Sequence, residues 1–153
     1  MKTHEPQLTE HPFLKGLEPR LLTLVTGCAS HVRFNAGEYV AKEGDAANQF
    51  YLIREGKVAM EIYRPPEGVI IIQTLSDGDV LGWSWLVPPH NWRFNFRAVE
   101  LTRAFAFDGT CLRNKLEQDH DLAYELFRRF IPIIVQRLEA TRLQLLDLYG
   151  EQS

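Results

Sequence analysis

Between residues 35 and 78 the chain is punctuated by five turn sites: Asn35-Ala36-Gly37, Glu43-Gly44-Asp45, Glu55-Gly56, Pro65-Pro66-Glu67-Gly68 and Asp77-Gly78. Each sets a residue that tolerates positive φ between two runs rich in Val, Ile, Phe and Tyr, the pattern of tight antiparallel connections. Strands are therefore expected near residues 31–34, 38–41, 49–54, 57–63, 69–75 and 79–82, with 97–107 forming one long strand or two short ones. Turns at this density argue for a mainly β chain closed as an antiparallel β-roll or jelly roll (double-stranded β-helix), and not for a βαβ fold.

Helical spacing brackets this region. Leu14, Leu17, Leu21, Leu22 and Val25 recur mainly at intervals of three and four, with Gly16 and Pro19 dividing two short N-terminal helices that would act as a lid. After Asp108 a short helix is expected over 109–117, then a long C-terminal one that Asp119 or Asp121 could cap, bent or divided at Pro132. One apolar stripe of the long helix, Leu122, Leu126, Phe130 and Ile133, is free to lie on the roll. The other, Phe127, Ile131, Ile134, Leu138, Thr141, Leu145 and Leu148, alternates spacings of four and three as a heptad seam does. A small domain cannot bury both stripes against one sheet, so the seam predicts a homodimer; packing of both stripes within one chain is the alternative. With 153 residues the organisation expected is one domain over 11–148, its dimerisation helix at 119–148, and tails at 1–10 and 149–153.

A net charge of −3 gives no electrostatic reason to expect nucleic acid, and Arg128-Arg129, with Arg137 and Arg142 further along, reads as a solvated helix face. Cys28 and Cys111 form no Cys-x-x-Cys pair, so neither zinc nor an iron–sulfur cluster can be held locally by thiolates. Both read as buried small residues in a reducing cytosol, which with the absence of an apolar leader or membrane-length run predicts a cytoplasmic protein.

This layout resembles the cyclic nucleotide-binding domain of the catabolite activator (Crp/Fnr) family over about residues 11–148. The resemblance is carried by Gly37-Glu38-Tyr39-Val40, by Glu43-Gly44-Asp45, and by the run from Phe50 to Val58. It continues through Leu75-Ser76-Asp77-Gly78-Asp79-Val80-Leu81-Gly82 and Arg97-Ala98. It implies a regulatory module, not an enzyme, with a phosphate-binding cassette after Gly82. In the family a Glu there takes the ribose hydroxyl, a short helix aims amides at the cyclic phosphate, and an Arg followed by a small hydroxyl residue and Ala neutralises it.

The cassette here reads Gly82-Trp83-Ser84-Trp85-Leu86-Val87-Pro88-Pro89-His90-Asn91-Trp92-Arg93-Phe94-Asn95-Phe96-Arg97-Ala98. Trp83 stands at the position of the Glu, and an indole has no lone pair to offer a sugar diol. Counting from Gly82 puts Arg93 at the family's arginine, whereas counting back from Arg97-Ala98 puts Trp92 there; in either register Phe94 replaces the small hydroxyl residue. Pro88-Pro89 removes two amide donors from the loop. The candidate ligand-binding residues are Gly82, Trp83, Ser84, Trp85, Trp92, Arg93 and Asn95, with His90 a further polar point. The aromatics either plug the pocket themselves or wall a cavity for a flat or apolar ligand. The ligand expected is a small molecule other than cyclic AMP, or none; a cyclic AMP or cyclic GMP site built on Arg93 is the alternative.

Two other functions are disfavoured. A cupin-like metalloenzyme needs a His-x-His pair with a further His or Glu, and His4, His11, His31, His90 and His120 show no such spacing, so no metal and no catalytic residue are expected. Haem or cluster sensing lacks its ligands as well. In the activator family a DNA-reading helix-turn-helix follows the long helix; Leu148 stands five residues before the last, Ser153, so DNA reading of that type is not expected.

Overall fold

The computed structural model describes residues 5–152. Eight strands lie between the helical ends: β1 (Ala29–Phe34), β2 (Tyr39–Ala41), β3 (Gln49–Glu55), β4 (Lys57–Arg64), β5 (Gly68–Ser76), β6 (Val80–Leu81), β7 (Asn95–Ala98) and β8 (Thr102–Asp108). They form two four-stranded antiparallel sheets in the orders β1-β8-β3-β6 and β2-β7-β4-β5. The jelly roll read from the turn spacing is thus the fold. The 97–107 segment is two strands, one in each sheet. Gly56, at φ +126°, turns β3 into β4 where an added Cβ would lie 2.4 Å from Thr102 Oγ1, so the turn admits only glycine.

Four helices complete the chain: α1 (Glu5–Glu10), α2 (Pro19–Thr26), α3 (Gly109–Gln118) and α4 (His120–Gln152). Helix α1 falls in the stretch read from sequence as a polar tail, and its Leu8 is fully buried. Gly16 turns at φ +83° and Pro19 opens α2, where its missing N–H costs nothing. Asp119 caps α4 by accepting the Leu122 N–H at 3.1 Å, and its other oxygen takes Arg20 at 2.6 Å. Helix α4 runs through Pro132 undivided, held to the roll before and after it by Phe130 and Ile133.

The core centres on Phe50 of β3. Its ring stacks on Phe107 at 4.7 Å and on Trp85 at 4.9 Å, while Phe13 and Phe130 meet it edge-on at 6.3 and 5.3 Å. Such pairs add about 0.5–1.5 kcal/mol each beyond the area they bury. One ring therefore ties the lid, a sheet, the cassette and α4 together, with Leu122 and Leu126 buried beside it as their stripe predicts.

The cysteine reading is corrected. Cys28 and Cys111 are joined by a disulfide with a Cα–Cα distance of 5.9 Å. Sequence separation hid the pairing, but the β1–β8 ladder sets Ala29 opposite Phe107, and the Asp108 N–H donates to the Cys28 carbonyl at 2.9 Å. The bond clips the end of α2 to the first turn of α3, and the inference of a reducing compartment from separate thiols is withdrawn. Among the described residues no helix is long and apolar enough to cross a membrane.

His11 is buried with both ring nitrogens committed: Nδ1 accepts the Phe13 N–H at 3.1 Å and Nε2 donates to the Ile53 carbonyl at 3.1 Å. Only a neutral ring can do both. Burial is the main reason its pKa lies below the ordinary 6.5, outweighing the Ile53 hydrogen bond and the charge of Asp79. The unfolded chain then binds this proton more readily than the folded one. The contribution to stability is complete above the unfolded pKa and is lost as pH falls from there through the depressed folded value. Urea midpoints taken from about pH 7 to about pH 5 should fall in the native chain, and fall less in His11→Gln, which keeps a donor and an acceptor but does not titrate.

Candidate functional site

After β6 the chain turns at Gly82, φ +98°, into a single 3-10 turn, Ser84–Leu86, and then a loop that returns to β7. The loop is pinned to the β2–β3 connection: the Trp92 N–H donates to the Asp45 carbonyl at 2.9 Å, and the Gly44 N–H donates to the Trp92 carbonyl at 2.8 Å. The Trp92 indole folds back over Gly82, where an added Cβ would come within 2.6 Å of the ring. Its edge-to-face contact with Phe96, 5.5 Å between centroids, fixes it there.

A cavity of about 240 Å3 lies between this segment, the second sheet and α4. Met60 of β4, Ile72 of β5 and Phe96 of β7 form its floor; Gly82, Trp83, Ser84, Trp92, Arg93 and Phe94 form one wall; Ile134, Arg137, Leu138 and Thr141 of α4 form the other. Its surface is mostly apolar, and no Asp or Glu lines it. The two cations are the exposed Arg93 and the buried Arg137.

Of the seven sequence-predicted ligand residues, five come together here: Gly82, Trp83, Ser84, Trp92 and Arg93. Trp85 does not. One turn of 3-10 helix places it opposite Trp83, fully buried on Phe50, with its Nε1–H lacking a hydrogen-bond partner among the described residues. Asn95 is also elsewhere, its Oδ1 accepting the Glu43 N–H at 2.8 Å. His90 is a turn residue at φ +61°, its N–H donating to the Val87 carbonyl and its carbonyl accepting from Ala47.

The residue that sequence reading misplaced is Arg137. It was assigned to a solvated face, yet it is 8% exposed. Its Nη2 donates to the Val80 carbonyl, and its guanidinium carbon lies 4.6 Å from the centre of the Trp83 ring. Burial lowers its pKa from the usual guanidinium range to about 10, with the charge of Asp79 opposing the shift, so it is charged at neutral pH. The signal was present: 122, 126, 130 and 133 lead in steps of four and three to 137, which puts Arg137 on the stripe facing the roll.

A wider cleft of about 550 Å3 lies beyond Arg137, between Pro12, Phe13 and α4. Its Arg129 is committed, donating to the Phe13 carbonyl at 2.9 Å and pairing with Glu125 at 2.5 Å. Glu125 takes Arg128 as well, at 2.7 Å. Among the described residues no group of three His, Cys, Asp or Glu side chains could hold a metal ion.

A two-sheet roll closed by a helix over an internal cavity has the form of a regulatory sensor domain. Residues 31–119, more than half of the chain, match the cyclic nucleotide-binding domain model, and the chain belongs to that family. It is 34% identical over 79 residues to the cAMP-dependent protein kinase regulatory subunit of Schizosaccharomyces pombe, a match covering 52% of this chain and 18% of that one. It is 24% identical over 136 residues to the CRP-like cAMP-activated global transcriptional regulator of Mycobacterium tuberculosis, covering 89% of this chain and 59% of that one. The chain thus spans less than two thirds of these relatives' length. A crystal structure of a cyclic nucleotide-binding domain from Methylobacillus flagellatus superposes with a TM-score of 0.78 at 14% identity, covering 95% of this chain and 82% of that one.

The Gly82–Trp92 contact is testable. Gly82→Ala combines a strained positive φ with a clash against an aromatic ring, and should cost about 1–3 kcal/mol in chemical denaturation. Trp fluorescence should shift as the Trp92 ring is displaced.

Proposed function

We infer that this chain is the sensor part of a regulatory protein, that its ligand is a small molecule other than a cyclic nucleotide, and that it works as a homodimer through α4. The observation that carries the ligand reading is the cavity lining. A ribose diol needs a carboxylate acceptor, and the side-chain oxygens among the lining residues are the hydroxyls of Ser84 and Thr141, neither of them a carboxylate. Trp83 occupies the place where such a carboxylate would stand.

The dimer reading rests on the exposed seam. Phe127, Ile131, Leu138, Leu145 and Leu148 are 45–58% exposed along one face of α4, an apolar stripe that a parallel copy of the same helix would cover. Ile134 is half-buried and Thr141 exposed on the same seam. Ile134, Leu138 and Thr141 also line the cavity, so a ligand would press on the residues that face the second subunit. That shared wall gives occupancy a route to the dimer and supports a sensor over an inert scaffold.

Two measurements test this. Cyclic AMP or cyclic GMP at about millimolar concentration should raise the melting temperature by less than about one or two degrees, because stabilisation follows the ratio of ligand to dissociation constant. A shift of many degrees that Arg93→Gln abolishes would establish an ordinary cyclic nucleotide site instead. Sedimentation should give twice the chain mass of 17.7 kDa for the native chain, and monomers with unchanged circular dichroism for Ile131→Glu/Leu145→Glu. A native monomer at tens of micromolar would end the dimer reading.

A further inference from the structure

We propose that the cavity takes a compact aromatic carboxylate whose acid group pairs with Arg137 and is closed over by Arg93. This rests on the reading that the site is a ligand pocket not meant for a cyclic nucleotide, and it names the chemistry the pocket selects.

Charge is the first argument. Arg137 is a buried cation that is in no ion pair among the described residues; it holds one backbone carbonyl and the face of one indole. A buried charge without a counterion is costly, and the drop of its pKa to about 10 reflects that cost. Arg93, at the rim of the same cavity, likewise has neither a hydrogen bond nor an ion pair among the described residues. The wall therefore carries two guanidiniums and no acid, which an anionic ligand would neutralise.

Shape selects among anions. The cavity, about 240 Å3, is smaller than the roughly 300–1,000 Å3 of ordinary ligand pockets, so it suits one ring with a short acidic arm. Trp83, Trp92 and Phe94 line the cavity with aromatic surface beside which a ring can pack. A phosphate would call on several amide donors as well. Here the N–H groups of Leu86, Val87, His90 and Trp92 already donate to carbonyls of the chain and Pro88 and Pro89 have none, which leaves the loop mainly the first-turn amides, 83–85, to offer an anion. A carboxylate needs only the planar fork that a guanidinium supplies.

The test is calorimetry on the full chain with phenylacetate, its neutral isostere phenylacetamide, cyclohexylacetate and cyclic AMP. Phenylacetate should bind saturably at one per chain, at least about tenfold tighter than phenylacetamide and tighter than cyclohexylacetate. Arg137→Met, which keeps the stem and removes the charge, should weaken phenylacetate at least about tenfold; the amide comparison on the native chain reads the same contact if that variant does not fold. Equal binding of acid and amide, or no saturation by any carboxylate at about 10 mM, overturns the proposal and leaves the sensor reading standing if cyclic AMP also fails to bind. Saturation by cyclic AMP overturns the reading beneath it.

Discussion

The contact of Arg137 with the roll sets the relation between the long helix and the sheets. A guanidinium on the buried stripe of α4 reaches the Val80 carbonyl at the end of β6 and covers the Trp83 ring just beyond it. Below it, Leu122, Leu126 and Phe130 pack the first half of α4 against Phe50 and the lid. Above it α4 meets the second sheet again where Gln144 Nε2 donates to the Ile72 carbonyl at 2.8 Å, and the cavity lies between these two contacts. A leucine at 137 would bury more apolar surface at less desolvation cost, so the charge is a departure from what packing alone favours. Such departures from local rules are where function is to be sought.

Most of the fold was legible because two periodicities and a series of turn residues agree with one another. Glycines at positive φ, including 37, 44, 56, 68, 78 and 82, fall at the turn sites or strand ends that the sequence marks, and alternation between them leaves the jelly roll as the closure. Helix α2, the Asp119 cap and the buried stripe follow from local chemistry in the same way, whereas the helix expected before Gly16 is a run of turns over 11–16. The disulfide was not legible, since which distant cysteines meet depends on strand pairing that spacing does not reveal. Helix α1 was hidden for a related reason: one buried leucine in a polar stretch gives no period to count.

The cavity was half legible. The cassette's residues were identifiable as a wall, but a single 3-10 turn sends Trp83 and Trp85 to opposite sides, and no local pattern distinguishes them. The floor from β4 and β5 and the helical wall are products of tertiary structure. The place of Arg137 was legible as well. A cluster of arginines invites a reading as solvated surface, whereas extending the buried stripe by one more step places this one inside. On the sensor reading, its position also explains how one helix can serve two partners, since Ile134 and Leu138 stand within a turn of it, between the cavity and the exposed seam.

The chain's three tryptophans make a direct measurement available. Their indole N–H signals can be followed by two-dimensional NMR while ligand is added, and Trp83 and Trp92 line the cavity whereas Trp85 is sealed in the core. With phenylacetate, the Trp83 and Trp92 signals should move along saturable curves while Trp85 stays in place; with cyclic AMP, none should move. Movement of Trp83 and Trp92 with cyclic AMP and not with the carboxylate would contradict the account.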